Sequence, residues 1–494
     1  MPSSTCPLYA AIDLGSNSFH MLVVREIGGG VQTLSKIKRK VRLASGLDAD
    51  MRLDKESMIR GWQCLSLFSE QLRDIPIEQV RIVATATLRC ASNAQEFLDK
   101  AEEILNNKIR IISGDEEAKL IYRGVAQTSS GNGKRLVIDI GGASTELIVG
   151  EDNEAYLLNS LDMGCVTWMK RYFPDGELSS SNFEAAKEAA CKVINPVLSD
   201  YRRLGWNSCV GASGTIQALV ELFTEQGLDE RITLAKLNSV SAQMIEAGSL
   251  ANLELKGLAA DRKPVFAGGV AILTAIFEQL SVVDMTVAGG ALREGLVYSM
   301  LSQREFSTVR QRTIDSIIHR HSMDPLQANR VKDCALSLAL QLQQPLSKVG
   351  YSMLHCAAML HEVGLSIAFK HAPRHAAYII DHADLPGFTR AQQHLLSGLL
   401  LNQRGPWENS GLEQQNAIHS DETIVISRIL RLAIIICMRR VEGSVPEFDF
   451  QQQPKQAWLL SFPEQWQRDH PLRAAELHLE AQTQQLAGYP LSLK

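Results

Sequence analysis

Apolar positions along about the first 300 residues follow two different spacings. Short runs that are apolar at most positions, such as Tyr9–Ile12, Phe19–Val24 and Val80–Ala84, predict strands. In Asn93–Asn106 the apolar residues instead recur three and four positions apart, which predicts an amphipathic helix. Alternation of these two patterns along a chain is typical of an α/β fold.

The pattern changes near Phe306. Beyond it the chain has long helical patterns rich in Leu, Ala, Gln and His, with few strand signals before a strand-like segment at Ala457–Phe462. A length of 494 residues suggests about three domains at roughly 150 residues each. We predict two α/β lobes at 1–125 and 126–304, and a mainly helical domain at 305–494.

An internal repeat lies within the α/β part. The segment Ala11–Val23 aligns without gaps on Val137–Val149, and each copy has the pattern strand, glycine turn, strand. In each copy an apolar strand leads to an aspartate and then to small residues, whose backbone N–H groups can approach an anion. One Asp-x-Gly alone would indicate an ordinary β-turn. Two copies favour two similar lobes around a cleft that holds a chain of phosphates.

Composition narrows the class of partner and the compartment. The formal net charge of −5 argues against a general nucleic-acid binder, so we expect no specific nucleic-acid partner. The nine cysteines include no Cys-x-x-Cys pair and are expected to be reduced. The start of the chain lacks a secretion-signal pattern, and the longest apolar stretch, Leu432–Met438, is far shorter than the ~20 residues that cross a bilayer. We expect a cytoplasmic protein with no membrane partner.

Five motifs give the sequence a recognisable signature. They are Ala11–His20, Ile112–Ala118, Ile138–Glu146, Gly211–Thr215 and Gly290–Gly295. Together they resemble the exopolyphosphatase/guanosine pentaphosphatase (Ppx/GppA) family of the actin-like ATPase superfamily, over nearly the whole chain. The resemblance implies two actin-like, ribonuclease-H-like lobes around a cleft, followed by a helical HD-like domain. It also implies a Mg²⁺-dependent homodimer that hydrolyses pppGpp to ppGpp and acts on the ends of inorganic polyphosphate.

Phosphoanhydride hydrolysis needs charge neutralisation, donors for the phosphoryl oxygens and an oriented water. Three acids on the two turns are hard oxygen ligands suited to one or two Mg²⁺ ions: Asp13, Asp139 and Glu146. The turns also supply backbone and short side-chain donors for a phosphate cradle: Gly15, Ser16, Asn17, Ser18, Gly141, Gly142, Ala143 and Ser144. The two turns therefore account for the metal and the phosphates.

Glu117 is the candidate for polarising the attacking water, because it matches the glutamate that is catalytic in the resembled family. It opens a predicted helix, Asp115–Val125, after a predicted strand, Ile109–Ser113. Its neighbour Glu116 is the competitor, and side chains at adjacent helical positions point about 100° apart, so only one of the two faces the cleft. Taken locally, both acids would also suit the positive end of a helix.

Further phosphate contacts are less sharply indicated. Gly214 and Thr215 lie in a turn before a helical pattern, where they would either bind a phosphate or serve packing. The resemblance implies that Arg89 and Arg262 contact substrate phosphates, although most surface arginines have no such role. The strand Lys36–Arg42 alternates basic and apolar residues and would either guide polyphosphate or protect a sheet edge from aggregation.

The segment Leu354–Gly364 looks like the core helix of an HD-type phosphohydrolase, but Glu362 stands where that family has an aspartate. A degenerate domain that supports dimerisation is therefore the favoured interpretation. Four alternatives remain for the function: a predominant exopolyphosphatase, a kinase of the same superfamily, an actin-like nucleotide sensor or scaffold, and metal phosphodiesterase chemistry at His361.

Overall fold

The computed structural model describes residues 6–129, 131, 133–301, 308–413, 415–454 and 456–494. The chain forms two compact units. The first contains Met1–Glu26 and Val31–Phe306, and the second contains Ile27–Gly30 and Ser307–Lys494. The boundary that we predicted at 304/305 lies outside the described residues. The lobe boundary predicted at 125/126 falls inside a helix, Gly114–Thr128.

The described part of the first unit contains two five-stranded sheets. The strands of the first sheet are β1 (Leu8–Leu14), β2 (Ser18–Ile27), β3 (Gly30–Lys40), β4 (Val80–Ala84) and β5 (Ile109–Ile111). Those of the second are β6 (Arg135–Ile140), β7 (Thr145–Glu151), β8 (Glu154–Leu161), β9 (Ser208–Ala212) and β10 (Thr286–Val287). The spatial orders are β3-β2-β1-β4-β5 and β8-β7-β6-β9-β10. The second order is the first with every strand shifted by five, so the repeat seen in the sequence extends over whole sheets.

Ten α-helices are described in this unit. They are α1 (Lys55–Leu72), α2 (Ala86–Cys90), α3 (Ala94–Leu105), α4 (Gly114–Thr128), α5 (Cys165–Tyr172), α6 (Ser180–Leu204), α7 (Gly214–Glu225), α8 (Leu234–Ala247), α9 (Lys263–Leu280) and α10 (Leu292–Met300). Helix α9 packs against α5, α6 and α8 and forms much of the core of the second lobe. Among the described residues it is the one helix whose length and composition would allow a membrane span, and 72% of it is buried inside the protein, as in a core helix.

The register of the two central hairpins places their acids at equivalent positions. In the β1–β2 hairpin Asp13 pairs with His20, and in the β6–β7 hairpin Asp139 pairs with Glu146. Each turn leaves little room for a side chain at its glycine, because a Cβ on Gly15 or on Gly141 would lie 3.0 Å from a carbonyl oxygen of the same turn. Each apolar strand therefore delivers its aspartate to the corresponding end of its own sheet.

Helices α4 and α10 cross with their backbones in close contact. A Cβ on Gly124 of α4 would collide with the carbonyl oxygen of Ala291, and a Cβ on Gly295 of α10 would collide with that of Leu120. Glycine at both positions permits this approach. The crossing fixes the start of α10 beside α4.

The second unit is mainly helical. Its helices are α11 (Val309–Arg320), α12 (Pro325–Leu340), α13 (Lys348–Leu360), α14 (Ala372–His382), α15 (Arg390–Leu401), α16 (Ser410–Glu413), α17 (Ser420–Ile436), α18 (Glu464–Asp469) and α19 (Pro471–Leu486). Its strands are β11 (Asp449–Gln452), β12 (Trp458–Ser461) and β13 (Leu491–Leu493), in that spatial order. Helix α17 lies in its core and contacts α12, α13 and α19. The buried pair Arg431–Glu480, with an Nε–Oε1 distance of 2.7 Å, joins α17 to α19.

Candidate active site

A cleft of about 460 Å³ lies between the two glycine turns of the first unit. The turns face each other at van der Waals distance, since a Cβ on Gly142 would lie 3.5 Å from the Cβ of Ser16 and 4.0 Å from that of Asn17. The first residues of α7 and α10 and the inner face of α4 complete the walls. Segments far apart in sequence thus meet around one cavity.

The cleft brings together nearly all residues that the sequence singled out. The predicted site residues that line it are Asp13, Gly15, Ser16, Asn17, Ser18, Glu117, Asp139, Gly141, Gly142, Ala143, Ser144, Glu146, Gly214, Thr215 and Arg262. Arg89 is not among the lining residues and instead contacts Glu117. The roles assigned to these residues remain predictions, whereas their assembly in one cleft is a property of the structure.

Four acids form the floor of the cleft. Burial and the nearby charge of Glu117 raise the pKa of Asp13 to about 7. Burial, followed by the charge of Glu117, also raises the pKa of Glu146 to about 8. Hydrogen bonds from Ser160 and Ser144 oppose this shift. The pKa of Asp139 is raised by burial and then by the other three acids. These carboxylates repel one another, so the cleft favours a bound cation or protons.

The start of α4 separates the two candidate glutamates. The Ser113 hydroxyl accepts a hydrogen bond from the Glu116 N–H at 3.1 Å and caps the helix. Glu116 points away from the cleft and pairs with Arg110, with an Oε1–Nη1 distance of 2.6 Å. Glu117 is buried and accepts a hydrogen bond from Arg89 Nη1 at 3.3 Å. Of the two acids, Glu117 is therefore the one that faces the cleft.

Glu146 is held by a neighbouring strand. The hydroxyl of Ser160 on β8 donates to Glu146 Oε1 at 2.8 Å. Ser160 also lies directly against Gly114 at the start of α4, where a Cβ on the glycine would come within 2.6 Å of the serine Cβ. Ser160 thus connects the strand that carries Glu146 to the helix that carries Glu117.

A group of basic side chains, the basic wall, also lines the cleft. It consists of Lys36, Lys38, Arg262 and Arg293, and His20 lies close to them. Burial, followed by the charges of Arg293, Lys38 and Arg262, lowers the pKa of His20 to about 3, so the imidazole is neutral. The guanidinium of Arg262 lies against Gly214 at the positive end of α7. This concentration of positive charge suits a polyanionic ligand.

Our sequence analysis did not assign His20 or Arg293 to the site. The repeat contained the signal for the first, because His20 and Glu146 occupy equivalent positions in the two aligned segments. Arg293 belongs to the motif Gly290–Gly295, whose contribution to the cleft depends on the crossing of α4 and α10. The strand that carries Lys36 and Lys38 was predicted from the sequence, but the position of these two side chains in the wall of the cleft was not.

Several polar atoms of the cleft lack a partner among the described residues. They are Asp13 Oδ1, Ser18 Oγ and Ser213 Oγ, all buried. Within the described chain, no three His, Cys, Asp or Glu side chains form a complete metal site. Mg²⁺ usually needs only one or two carboxylates, together with substrate phosphates and waters. The orphaned carboxylate oxygen and the mutually repelling acids therefore fit such an ion.

The HD-like segment of the second unit has a different arrangement. His361 is buried, and burial lowers its pKa to about 4, while its Nδ1 lies 2.7 Å from the carbonyl oxygen of Ala358. The carboxylate of Glu362 accepts a hydrogen bond from Arg440, whose guanidinium also lies 3.5 Å from Asp324. An internal cation thus neutralises the carboxylate that stands in the position of the HD aspartate. This contact disfavours metal binding there.

The repeated sheets, the facing glycine turns and the mixed acidic and basic walls define a phosphate-handling enzyme of two α/β lobes. Comparison with known families agrees. Residues 22–304 match the Ppx/GppA phosphatase family, and residues 309–481 match Ppx/GppA phosphatase, domain III. The chain belongs to the Ppx/GppA phosphatase family, and the predicted enzyme class, a hydrolase of phosphoanhydride bonds, is confirmed.

Relatives match over the full length. A protein of Aeromonas hydrophila named guanosine-5′-triphosphate,3′-diphosphate pyrophosphatase is 56% identical over 490 residues, which are 99% of both chains. The protein of the same name from Aeromonas salmonicida is 55% identical over 490 residues, again with 99% coverage of both chains. The family resemblance stated from the sequence is therefore confirmed.

Solved structures match about three fifths of the chain. An exopolyphosphatase from Cytophaga hutchinsonii is 24% identical and aligns with a TM-score of 0.55 over 59% of this chain and 97% of its own. A Ppx-GppA enzyme from Aquifex aeolicus is 22% identical, with a TM-score of 0.52 over 59% and 99% of the two chains. At this identity the likeness shows the fold. The predicted architecture, two similar α/β lobes followed by a mainly helical C-terminal domain, is confirmed.

Proposed function

We propose that this protein removes the terminal 5′-phosphate of pppGpp to give ppGpp and phosphate, and that it also releases phosphate from the ends of inorganic polyphosphate. The observation that carries the proposal is the position of Glu117, buried beside Asp13, Asp139 and Glu146 in a cleft that basic side chains also line. The near-complete match to two relatives named for the guanosine compound supports pppGpp as substrate. The likeness in fold to a protein named an exopolyphosphatase supports polyphosphate as a second substrate.

In the proposed mechanism each wall of the cleft has a separate task. The backbone N–H groups of the two turns, with Ser18 and Ser144, bind the terminal phosphoryl group, and Arg262 binds the phosphates behind it. Glu117 accepts a hydrogen bond from the attacking water and orients it in line with the bond that breaks. Asp13, Asp139 and Glu146 would hold Mg²⁺, directly or through water, and the ion would supply charge neutralisation for the transferred group.

The oligomeric state and the cellular compartment of the protein are part of the same proposal. We expect a homodimer, because the resemblance to exopolyphosphatases implies one, and we expect it to act in the cytoplasm, where its nine cysteines would be reduced. Light scattering of the purified protein measures the mass directly. A monomeric mass at working concentration would contradict the dimer and leave the chemistry of the cleft unaffected.

The test is phosphate release with Mg²⁺ from pppGpp, long-chain polyphosphate and ATP. The parent protein should act on the first two and poorly on ATP. Glu117→Gln should lower kcat by about 10²–10⁴-fold while the substrate still binds. Glu116→Gln is the matched control, because that acid is adjacent but bonded to Arg110 outside the cleft. A parent protein that binds pppGpp without releasing phosphate would be a nucleotide sensor.

A further inference from the structure

A row of lysines follows one face of strand β3. Lys36, Lys38 and Lys40 are two positions apart, so their side chains project from the same face of the sheet at intervals of about 7 Å. Lys36 and Lys38 line the cleft, whereas Lys40 lies beyond its lining residues. The row therefore leads from the cleft to the outside of the protein.

Asp261 occupies the outer end of this row. Its Oδ2 atom lies 3.5 Å from Lys40 Nζ and 3.9 Å from Lys38 Nζ. Lys40 also donates a hydrogen bond to the backbone carbonyl of Asp261 at 3.2 Å. Asp261 immediately precedes Arg262, which lines the cleft. One carboxylate thus neutralises part of a basic row whose two inner lysines line the cleft.

These ion pairs are open to solvent. The side chains of Lys38, Lys40 and Asp261 are 36%, 35% and 45% exposed. Ion pairs of this exposure contribute little to stability and are screened by salt, so another anion displaces the carboxylate easily. Burial and the nearby cations, chiefly Arg262, lower the pKa of Lys38, and Asp261 opposes this effect. Asp261 therefore offsets only part of the positive charge around Lys38, and a further anionic group would be stabilised there.

We propose that Asp261 is a specificity-determining residue, an internal anion that competes with the distal phosphates of long substrates for Lys40 and Lys38. The proposal rests on the proposed function and refines its substrate preference. A short phosphate chain ends within the cleft, at Lys36 and Lys38. A long chain continues to Lys40 and must displace the carboxylate. Asp261 therefore reduces the affinity for long-chain polyphosphate relative to short substrates.

The test compares affinities for two probes, long-chain linear polyphosphate and tripolyphosphate, by titration calorimetry in the Glu117→Gln background, which limits consumption of the ligand. Asp261→Asn should lower the Kd of the long chain by about two- to fivefold, the range of an exposed ion pair, and change the Kd of tripolyphosphate less. Added salt should weaken long-chain binding more steeply in this variant.

Two further variants make the test specific. Glu56→Gln changes the net charge equally but removes an exposed ion pair with Arg60 on α1, so the ratio of the two Kd values should stay at the parent value. Lys40→Gln should raise the Kd of the long chain and reduce the effect of Asp261→Asn in the double variant.

Equal Kd ratios in the Asp261→Asn and Glu56→Gln proteins would overturn the proposal, as would additive effects in the double variant. Phosphate release by the parent chain decides the proposed function separately, because the Kd measurements do not depend on turnover.

Discussion

Adjacent carboxylates at the start of α4 have different partners, and the difference separates their roles. Glu116 forms an exposed ion pair with Arg110, whereas Glu117 is paired with Arg89 inside the protein. Arg89 also donates to the carbonyl oxygen of Ile112 at 2.8 Å, so the segment just before α4 fixes its guanidinium. We infer that Arg89 positions the Glu117 carboxylate. The resemblance had implied a direct contact with substrate phosphate.

Arg89→Gln should lower kcat by about 10- to 100-fold with a smaller effect on KM, because the carboxylate loses its orientation. The acid limb of the pH–rate profile should also move to higher pH. Burial raises the pKa of Glu117 and Arg89 lowers it, so loss of the arginine raises this pKa further and the ionised form appears at higher pH. Steady-state rates of phosphate release across the pH range measure both effects.

Arg110→Gln is the matched control for this substitution, because it removes the same charge from the partner of Glu116 outside the cleft. Its kcat and pH profile should equal those of the parent, and Arg89→Lys should recover part of the lost rate. A higher KM with unchanged kcat in Arg89→Gln would instead indicate that Arg89 binds the substrate phosphates directly.

At the scale of elements, the crossing of α4 and α10 positions one residue of the acidic floor and one residue of the basic wall. Helix α4 carries Glu117 of the acidic floor, and α10 carries Arg293 of the basic wall. Their backbones approach at Gly124 and Gly295, where any side chain would meet a carbonyl oxygen of the other helix. The distance between an acid and a base of the site therefore depends on two residues that contact no substrate.

Gly124→Ala should lower the free energy of unfolding by about 1–3 kcal/mol, since the added methyl overpacks a backbone contact. The sign is diagnostic, because alanine in a helix with free space would add up to ~1 kcal/mol. Gly411→Ala is the control, as its Cβ would meet nothing closer than 3.5 Å. Urea unfolding measures both variants. A Gly124→Ala protein as stable as the parent would show that the helices separate at little cost.

Elements defined by local patterns were predictable, and contacts between distant segments were not. The strand Val80–Ala84 has the predicted bounds, and α4 extends the predicted Asp115–Val125 by one residue at its start and three at its end. The hairpin repeat was visible because each copy is one continuous segment. The pairing of Ser160 with Glu146 requires the strand order of the sheet, and Asp261 meets Lys40 across 221 positions of the chain. Such contacts follow from tertiary packing, and no periodic pattern in the sequence indicates them.

At the scale of the whole molecule, the net charge conceals a cleft in which charges of both signs are concentrated. The chain carries a formal charge of −5, yet basic side chains line the same cleft as the four acids inside the first unit. Folding buries the carboxyl groups, and their pKa values rise because neither water nor a complete set of basic partners stabilises the ionised forms. The folded protein therefore holds protons that the unfolded chain releases, and its stability falls as pH rises through the raised pKa values.

This linkage predicts how Mg²⁺ changes thermal stability. The pKa values of Asp13 and Glu146 are raised to about 7 and about 8, so at about pH 6 protons compete with the metal, and at about pH 8 this competition is weaker. After chelation, Mg²⁺ at one fixed concentration, about 100 times its Kd at pH 8, should raise the unfolding midpoint on the order of 5 °C near pH 8 and less near pH 6. Asp13→Asn should reduce the rise, whereas Asp74→Asn, at an exposed position, should not. An equal rise at both pH values would place the cation away from the buried acids, and the mutual repulsion of the floor would then be relieved by protons alone.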